Sequence, residues 1–293
     1  MTLSALLTGS SGLLGYYISK ELYNMDYSIA NLCFMNKVNR DFISIDLRDK
    51  KKTFELLNNL NPSLIIHTAA LVNLEMCQND IQSAYLSNVK ITRNLVDWIK
   101  QKEKTTKIIY FSTDQVYSGS GPHSEKKVNP INFYGMTKLW SEDIVSSCDN
   151  SLIFRINFVG LGMNYHNGFA RWALKSLNAK KEFYGFTDII FNPLHGSDLA
   201  KILINSLKVD LTGVFNIGSA GEITKADFII DLAKKVNLSS DLMRKVSYQS
   251  FNNTIPRPND MRMDISLLSK SLNFSFPSVE HSIYLIAKET EKL

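Results

Sequence analysis

The chain has 293 residues and a mass of 33.2 kDa, with 33 Lys and Arg residues against 28 Asp and Glu residues, which gives a net charge of +5. Its hydrophobic fraction of 44% and mean hydropathy of −0.09 are typical of a folded globular protein and exclude a disordered chain. No apolar run in the sequence approaches the ~18 residues that a bilayer crossing needs, which excludes an integral membrane protein.

Charge and cysteine patterns narrow the functional classes further. The basic residues are scattered, as in Lys126–Lys127 and Lys180–Lys181, so we expect solvated faces rather than a nucleic-acid groove. The three cysteines and five histidines share no metal-ligand spacing, which predicts a protein without a metal site. No basic segment precedes the short apolar stretch at the N-terminus, so we expect no secretory signal and a cytoplasmic location.

The first half of the chain alternates short apolar runs with amphipathic stretches. Because most of the apolar runs are continuous rather than alternating, they predict a parallel sheet that is covered on both faces. The repeated strand–helix order predicts an α/β fold with a Rossmann-type, doubly wound parallel sheet. The predicted strands are Leu3–Thr8, Ser28–Phe34, Phe42–Ile45, Leu64–Thr68, Lys107–Ser112 and Leu152–Ile156, and the predicted helices are Gly12–Met25, Lys50–Leu60, Ile81–Gln101 and Phe133–Ser147.

The rhythm changes after about residue 157, which predicts a smaller, discontinuous C-terminal α/β substrate domain. We assign residues 1–156, with about 190–212, to the nucleotide-binding domain, and about 157–189 and 213–293 to the substrate-binding domain. The last segment reads as short mixed pieces around IPRPNDMRMD. Further predicted elements are a helix near 169–177, an aromatic segment at Phe183–Phe191 that we expect in the second core, a helix at Ser197–Leu207, a strand at Gly213–Ile217 and a helix at Lys225–Val236.

A glycine-rich loop, TGSSGLLG, follows the first predicted strand and opens a helix. Glycine at Gly9 permits a tight turn, at Gly12 it lets the backbone approach a pyrophosphate, and at Gly15 it permits close packing of helix and strand. The helix N-terminus supplies free N–H donors and partial positive charge for phosphate. The loop therefore predicts dinucleotide binding.

The end of the second strand indicates which dinucleotide is preferred. The segment NLCFMNKVNR contains no acidic residue to hold a ribose 2′-hydroxyl, but it does contain Lys37 and Arg40. Cations at this point suit the 2′-phosphate of NADPH, although the same residues also fit ordinary exposed loop charges. NADPH is favoured and NADH stays open, and we expect Asp46 to contact the adenine.

A second group of polar residues predicts carbonyl chemistry. Tyr134 and Lys138 are four residues apart on a predicted helix, so both side chains lie on one face. A nearby ammonium is expected to lower the pKa of the phenol, which could then give a proton to a carbonyl oxygen. Ser112 and Thr113 stand at the carboxyl end of the fifth strand, where open α/β sheets bind their ligands, and the Thr113 hydroxyl could bond the same oxygen.

These motifs resemble the extended short-chain dehydrogenase/reductases, and among them the dTDP-4-dehydrorhamnose reductases and related nucleotide-sugar 4-ketoreductases. The resemblance covers nearly the whole chain through TGSSGLLG, IIHTAA, YLSNVKITRNL, FSTDQVY, NPINFYGMTKLWSE, NPLHGSDLAKIL and IPRPNDMRMD. It implies that Thr113, Tyr134 and Lys138 form the catalytic trio, with Tyr134 as the acid and Lys138 also holding the nicotinamide ribose. It further implies dinucleotide contacts at Gly9, Ser11, Gly12, Leu13, Asp46, Leu47, Ala69, Ala70 and Ser112, and active-site or sugar contacts at Asn88, Asp114, Gln115, Asn157, Phe158 and Arg257.

Two positions depart from the pattern of the reductases that the chain resembles. Gln115 stands where they usually have Tyr, and Phe158 where they usually have Trp, which puts the identity of the sugar in doubt. The 4,6-dehydratases of similar fold carry a glutamate where this chain has Gln115, so water elimination is not expected. Because an arginine fork suits diphosphates, Arg257 or Arg262 is a candidate for the nucleotide diphosphate, with an internal ion-pair network as the alternative.

The resemblance implies NADPH-dependent reduction of the 4-keto group of a nucleotide-diphosphate 4-keto-6-deoxy sugar. The expected partner is the nucleotide sugar, with no nucleic acid or membrane, and a homodimer is one option for the assembly. Two alternatives stay open. One is a non-catalytic NADP-binding regulator, because the β-subunit of methionine adenosyltransferase is similar to the same reductases. The other is a nucleotide-sugar epimerase or dehydrogenase on the same scaffold.

Overall fold

The computed structural model describes residues 4–25, 27–34, 41–101, 105–163, 166–251 and 255–291. Short 3₁₀ turns at Asp114–Val116 and Tyr248–Ser250 and a π-helical segment at Tyr85–Lys90 supplement the regular elements. The strands are β1 (Ser4–Thr8), β2 (Ser28–Cys33), β3 (Phe42–Ser44), β4 (Leu64–His67), β5 (Lys107–Thr113), β6 (Ser151–Ile156), β7 (Phe158–Val159), β8 (Phe183–Phe186), β9 (Ile190–Phe191), β10 (Leu194–His195), β11 (Gly213–Ile217), β12 (Ile223–Thr224) and β13 (Met243–Val246). The helices are α1 (Leu13–Tyr23), α2 (Lys50–Leu60), α3 (Leu74–Asn79), α4 (Ile81–Ala84), α5 (Ile91–Gln101), α6 (Phe133–Ser146), α7 (Phe169–Asn178), α8 (Gly196–Lys208), α9 (Lys225–Lys235), α10 (Ser266–Leu272) and α11 (Val279–Thr290).

A seven-stranded sheet forms the centre of the described chain, in the order β11-β6-β5-β4-β1-β2-β3. All its strand pairs are parallel. Every residue of β4, β5 and β6 is buried, as a sheet covered on both faces requires. The order of the strands reverses at β1, which lies between β4 and β2, and the prediction of a Rossmann-type doubly wound sheet is confirmed.

The strand Gly213–Ile217 lies at the edge of this sheet, where β11 pairs in parallel with β6. Its assignment to the substrate-binding domain was therefore wrong. The strand was correctly predicted, but its sequence carries no sign of its pairing partner. In the structure all five of its residues are in register with the buried strand β6.

The buried side chains form two layers around the sheet and a third, separate core. Alternate residues of β1 point to opposite faces, so Ala5 and Leu7 pack with α1 and α8, whereas Leu6 packs with α2 and α5. The third core joins α7, α9 and α11 to β9, through side chains such as Phe191 and Phe228. The site described below lies where this third core meets the carboxyl ends of the sheet strands.

The C-terminal segment is more regular than the sequence suggested, because it contains two helices. Ser278 caps α11, with its hydroxyl accepting a hydrogen bond from the backbone N–H of His281. Val279, Ile283 and Ile286 follow at helical spacing and are buried in the third core. The expectation of short mixed pieces was wrong here, and this spacing would have revealed the helix. Across the described ranges, no helix combines the length and apolar character that a membrane crossing demands.

Candidate active site

The glycine loop folds as its sequence predicts. Gly9 has a φ of +67°, a conformation that favours glycine, and an added Cβ would lie 2.7 Å from the backbone nitrogen of Ala69. At Gly15 an added Cβ would lie 2.3 Å from the carbonyl oxygen of Gly9. Two of the three glycines are therefore required by the close approach of backbone to backbone, between β1, α1 and the segment after β4.

The N-terminus of α1 is open to a ligand. Gly12 is the capping residue and is exposed, no side chain caps the helix, and the first turn contains no acidic residue. Its backbone N–H groups therefore keep the donors and the partial positive charge that bind phosphate. Leu13 packs against the core, and the carbonyl of Ser11 lies 3.0 Å from a ring nitrogen of His166. The loop thus fits a dinucleotide through its backbone rather than through its side chains.

The glycine loop and the strand ends beside it form the crevice expected to bind the dinucleotide. The part of this crevice expected to bind the ribose is only partly described, because Lys37 and Arg40 lie outside the described residues. Asp46 accepts two hydrogen bonds of 2.8 Å from the Arg48 guanidinium, which holds the pKa of the carboxyl below its usual range. Leu47 is buried in the core beneath the sheet, so its side chain does not reach the surface. The expected contact of Leu47 with the dinucleotide stays a prediction, and its buried side chain leaves the backbone for that contact.

The end of β4 completes the crevice. Ala69 and Ala70 are partly exposed there, and the backbone N–H of Ala69 donates to the Thr8 hydroxyl at 3.2 Å. The Ser112 side chain points elsewhere, since its hydroxyl donates to the buried carboxylate of Glu142. That carboxylate also pairs with Arg155 at 2.6 Å. Ser112 therefore belongs to a buried polar network, and the structure does not bring its hydroxyl to the crevice.

Tyr134 and Thr113 meet as the sequence predicts. Asn132 caps α6 by accepting a hydrogen bond from the N–H of Gly135 at 2.8 Å, and this fixes the first turn that carries Tyr134. The Thr113 side chain lies close enough to the Tyr134 hydroxyl to lower its pKa, and both residues line the same cavity. Lys138 follows one turn later, 3% exposed, with its ammonium 4.2 Å from the centre of the Tyr110 ring. Two hydroxyls thus converge at the carboxyl end of β5.

The electrostatics of this trio differ from the expectation. Burial raises the pKa of Tyr134 above its ordinary value, and the neighbouring Thr113 side chain only partly offsets this. Burial also lowers the pKa of Lys138 to about 7, although the Glu142 carboxylate acts in the opposite direction. The expected lowering of the phenol pKa is therefore wrong, because the loss of solvent around Tyr134 dominates its pKa. Tyr134 keeps its proton at neutral pH, as a proton donor must.

Asp114 and Gln115 continue from Thr113 into a buried turn. Asp114 accepts hydrogen bonds from Thr113 at 3.1 Å, from the Gln115 amide at 3.3 Å and from the Asn157 amide. Burial raises the pKa of Asp114 above its usual range, and Lys225 and these hydrogen-bond donors offset only part of the increase. Asn157 and Asp114 are therefore hydrogen-bonded to each other beside the hydroxyls of Thr113 and Tyr134.

A cavity of about 440 Å³ opens in front of these groups, between the sheet and the third core. Such a volume lies within the range of small-molecule sites. Its walls combine polar groups at the carboxyl ends of the sheet strands with aromatic side chains from the second half of the chain. They consist of Leu74, Thr113, Asp114, Gln115, Tyr134, Asn157, Phe169, Trp172, Tyr184, Phe186, Ile189, Lys225, Ile229, Tyr248, Arg257, Pro258 and Met261.

Two expected sugar-contact residues do not line this cavity. Asn88 is 1% exposed and uses its amide on Leu71 and on the Thr137 hydroxyl, at 2.7–3.1 Å, so it positions the segment after β4 against α6. Phe158 packs against the core between the sheet and the helices α1 and α8. Arg262 is held by Asp260 and Glu222, whereas Arg257 lines the cavity.

Several cavity residues were missed from the sequence. Lys225 and Trp172 lie in amphipathic helices without a motif, and Tyr184 and Phe186 were expected in the core, where only Phe191 of this aromatic group is fully buried. The signal for Tyr184 and Phe186 was a concentration of aromatic residues in one segment, a feature that core packing and ligand binding share. Within the described ranges, no group of three or more His, Cys, Asp or Glu side chains could hold a metal ion.

The reversed parallel sheet, the glycine loop after β1 and the Tyr–Lys pair on α6 define a Rossmann-type protein of the extended short-chain dehydrogenase/reductase class. The family model described as "RmlD substrate binding domain" matches residues 3–291. The chain belongs to this family.

Several proteins are similar to this chain over most of its length. A probable low-salt glycan biosynthesis reductase of Haloferax volcanii is 25% identical over 95% of both chains. A dTDP-4-dehydrorhamnose reductase of Salmonella typhimurium is 23% identical, also over 95% of both chains. The β-subunit of methionine adenosyltransferase 2 from Xenopus laevis is 25% identical over 91% of this chain and 81% of the relative.

Solved structures show the same fold. A crystal structure of dTDP-4-dehydrorhamnose reductase from Bacillus anthracis, in complex with NADP, superposes with a TM-score of 0.87. The two proteins are 22% identical, and the match covers 99% of this chain and 100% of the other.

Proposed function

We propose that the protein catalyses the NADPH-dependent reduction of the 4-keto group of a dTDP-linked 4-keto-6-deoxy sugar. The observation that carries this proposal is the placement of Tyr134 and Thr113 side by side at the wall of the cavity, with Lys138 one helical turn away. The reductases among its relatives support the class of substrate, since one is named for dTDP-4-dehydrorhamnose and another for glycan biosynthesis.

The glycine loop supports the cofactor. Close backbone packing at Gly9 and Gly15 and the uncapped N-terminus of α1 fit the pyrophosphate of a dinucleotide. Lys37 and Arg40 in the sequence favour NADPH, with NADH as the alternative, and the Bacillus anthracis relative was crystallised with NADP. When bound, NADPH supplies a hydride to the carbonyl carbon of the sugar.

The residues of the chain then handle the proton. Tyr134 stays protonated because burial raises its pKa, so it can donate to the carbonyl oxygen as negative charge develops there. The Thr113 hydroxyl stands beside that phenol, and by turning its O–H away from Asp114 it can offer a second hydrogen bond to the same oxygen. Lys138 has a pKa of about 7, so near neutral pH a fraction of its side chains carries the charge that favours release of the phenolic proton.

The cavity supports a sugar linked to a diphosphate. Asp114 and Asn157 offer an acceptor and a donor beside the reacting oxygen, and the aromatic walls suit the apolar faces of a sugar ring. Arg257 provides a cation at the cavity for the diphosphate.

The organisation around this chemistry is also a proposal. We infer a nucleotide-binding domain built on the sheet, including β11, and a substrate-binding domain built on the third core. We also propose a cytoplasmic location and a homodimer, with neither a nucleic acid nor a membrane as a partner.

A second candidate function is a regulatory subunit that binds NADP without turnover. The similarity to methionine adenosyltransferase 2 subunit beta favours it. The retained Thr113, Tyr134 and Lys138 favour the enzyme instead. The two differ in one observable, because a regulator does not oxidise NADPH in the presence of any nucleotide 4-keto sugar.

Replacement of Tyr134 by Phe tests the catalytic assignment. Tyr134→Phe should lower kcat for the nucleotide 4-keto sugar by about 10²–10⁴-fold, the usual contribution of a positioned proton donor. The dissociation constant for NADPH, measured by fluorescence titration, should stay within twofold. Tyr85→Phe is the matched control, since Tyr85 is an exposed tyrosine away from the cavity. A Tyr134→Phe variant with the wild-type kcat would overturn the assignment.

A further inference from the structure

Lys225 is fixed at the wall of the cavity by the start of α9. The Thr224 hydroxyl caps this helix by accepting a hydrogen bond from the N–H of Asp227 at 3.0 Å. The backbone N–H of Lys225 donates to the Ile189 carbonyl at 2.9 Å, next to the pairing of β12 with β9. Because the backbone is held from two sides, the side chain has a defined origin on the wall that faces Thr113 and Asp114.

The ammonium of Lys225 lies against two aromatic faces. Its nitrogen is 3.9 Å from the centre of the Phe169 ring and 3.4 Å from that of Phe191. These contacts attract the cation but satisfy none of its three N–H donors by a conventional hydrogen bond. Among the described residues, the ammonium makes no hydrogen bond and no ion pair within 4.0 Å. The rings thus hold a cation whose donors remain available to a ligand in the cavity.

The charges around Lys225 indicate what kind of ligand it meets. Burial lowers the pKa of Lys225 to about 7, Asp114 acts in the opposite direction and Arg257 lowers it further, so both an acid and a second cation lie within electrostatic reach. Asp114 and Lys225 together leave this part of the wall without net charge. A neutral group that both accepts and donates hydrogen bonds suits such a wall better than a carboxylate or phosphate does, and Arg257 supplies the separate cation.

We propose that Lys225 donates a hydrogen bond to a ring hydroxyl of the bound sugar and thereby helps to determine which sugars the protein accepts. The proposal rests on the proposed function, because the sugar carbonyl must lie at Tyr134 and Thr113. Tyr134, Thr113, Asp114 and Lys225 line one cavity, so a sugar whose carbonyl lies at Tyr134 can bring the hydroxyl on the neighbouring ring carbon to Lys225. A site that bonds a hydroxyl in this way discriminates strongly against analogues that lack it.

The test compares two ligands, dTDP-L-rhamnose and dTDP, by calorimetry on the wild-type protein and on Lys225→Met. The ratio of their dissociation constants isolates what the sugar contributes to binding. Loss of a hydrogen bond to a charged donor should weaken dTDP-L-rhamnose by about tenfold or more and leave dTDP within twofold. Lys234→Met on the same helix is the matched control and should change neither, because its side chain is 73% exposed.

Two further measurements keep the test decisive. NADPH affinity and the melting temperature of Lys225→Met report whether the fold is intact, and Lys225→Gln, which retains N–H donors, should recover part of the affinity for the sugar. An equal loss for both ligands, no loss for either, or a glutamine variant as weak as the methionine variant would overturn the role of Lys225. A wild-type protein that binds dTDP-L-rhamnose no more tightly than dTDP would instead overturn the proposed dTDP-sugar substrate, and this role with it.

Discussion

The two sides of the cleft are built on different principles. The dinucleotide side is formed by backbone, where Gly9 and Gly15 bring β1, α1 and the segment after β4 into contact. The sugar side is formed by side chains, among them Trp172, Lys225 and Tyr248, which three separate segments contribute. A backbone site binds what all members of a fold share, whereas a side-chain site can change its ligand by substitution. Selectivity for the sugar therefore lies on the second side.

The largest predicted effect tests how much the buried ion pair of Glu142 and Arg155 stabilises the sheet. Glu142→Gln leaves the buried Arg155 without its carboxylate partner, and loss of such a partner costs about 3–5 kcal/mol in the free energy of unfolding. Urea denaturation followed by circular dichroism measures the change. Glu182→Gln, which removes an exposed ion pair with Arg244, is the control and should leave the midpoint unchanged. A Glu142→Gln midpoint equal to that of the wild type would show that the network does not stabilise this side.

A smaller loss is expected where the backbone itself is tight. Gly15→Ala places a Cβ against the Gly9 carbonyl, so we expect a loss of about 1–3 kcal/mol in the free energy of unfolding, with NADPH affinity reduced at least tenfold. Gly168→Ala is the matched control, because the added Cβ would be 3.2 Å from only the tip of Leu13. Fluorescence titration with NADPH and urea denaturation measure both quantities. Wild-type NADPH affinity in Gly15→Ala would contradict the assignment of the loop.

On the other side of the cleft, a substitution should change binding and leave stability alone. Trp172 is 44% exposed and lines the cavity, so Trp172→Ala should raise KM for the nucleotide sugar about three- to tenfold, with the melting temperature nearly unchanged. Trp140→Ala, an exposed tryptophan on α6 outside the cavity, should alter neither quantity. Steady-state kinetics at saturating NADPH decide the question, and an unchanged KM in Trp172→Ala would remove the aromatic wall from the account.

A further effect concerns pH and the buried Lys138. Burial lowers the pKa of Lys138 to about 7 from an unfolded value near 10.5, so between these values the unfolded chain binds more protons than the folded one. The contribution of Lys138 to stability must therefore rise with pH from about 7 towards 10. The free energy of unfolding of the wild type, relative to Lys138→Met, should increase between pH 7 and pH 9 in urea titrations. A difference that stays constant or falls would contradict the burial of a titrating ammonium.

The same contrast explains what the sequence could predict. Tyr134 and Lys138 were identified because their relation is local, four residues along one helix, and the glycine loop is equally local. Lys225 was missed because its neighbours in space, Asp114 and Phe169, are distant in sequence, and no pattern records their meeting. The helix α11 was missed for a different reason, since its apolar spacing and its serine cap were present and were not interpreted as a helix.

Electrostatics were the least predictable part of the site. The sequence placed an ammonium one turn from the Tyr134 phenol, and from this a lowered pKa was expected. In the structure both groups are buried, and burial shifts the two pKa values in opposite directions, upward for Tyr134 and downward for Lys138. Spacing along a helix predicts that two side chains are neighbours, but the extent of their desolvation depends on the packing of the whole domain.

The most direct test of the central claim is NADPH consumption by the wild-type protein on a panel of dTDP-, UDP-, GDP- and CDP-linked 4-keto-6-deoxy sugars, with the products followed by NMR. Absorbance at the NADPH wavelength should fall with a dTDP-linked sugar, and the NMR spectrum should show a new C4–H and a hydroxyl where the ketone was. Stable NADPH with every sugar in the panel, from a protein that binds NADPH normally, would contradict it.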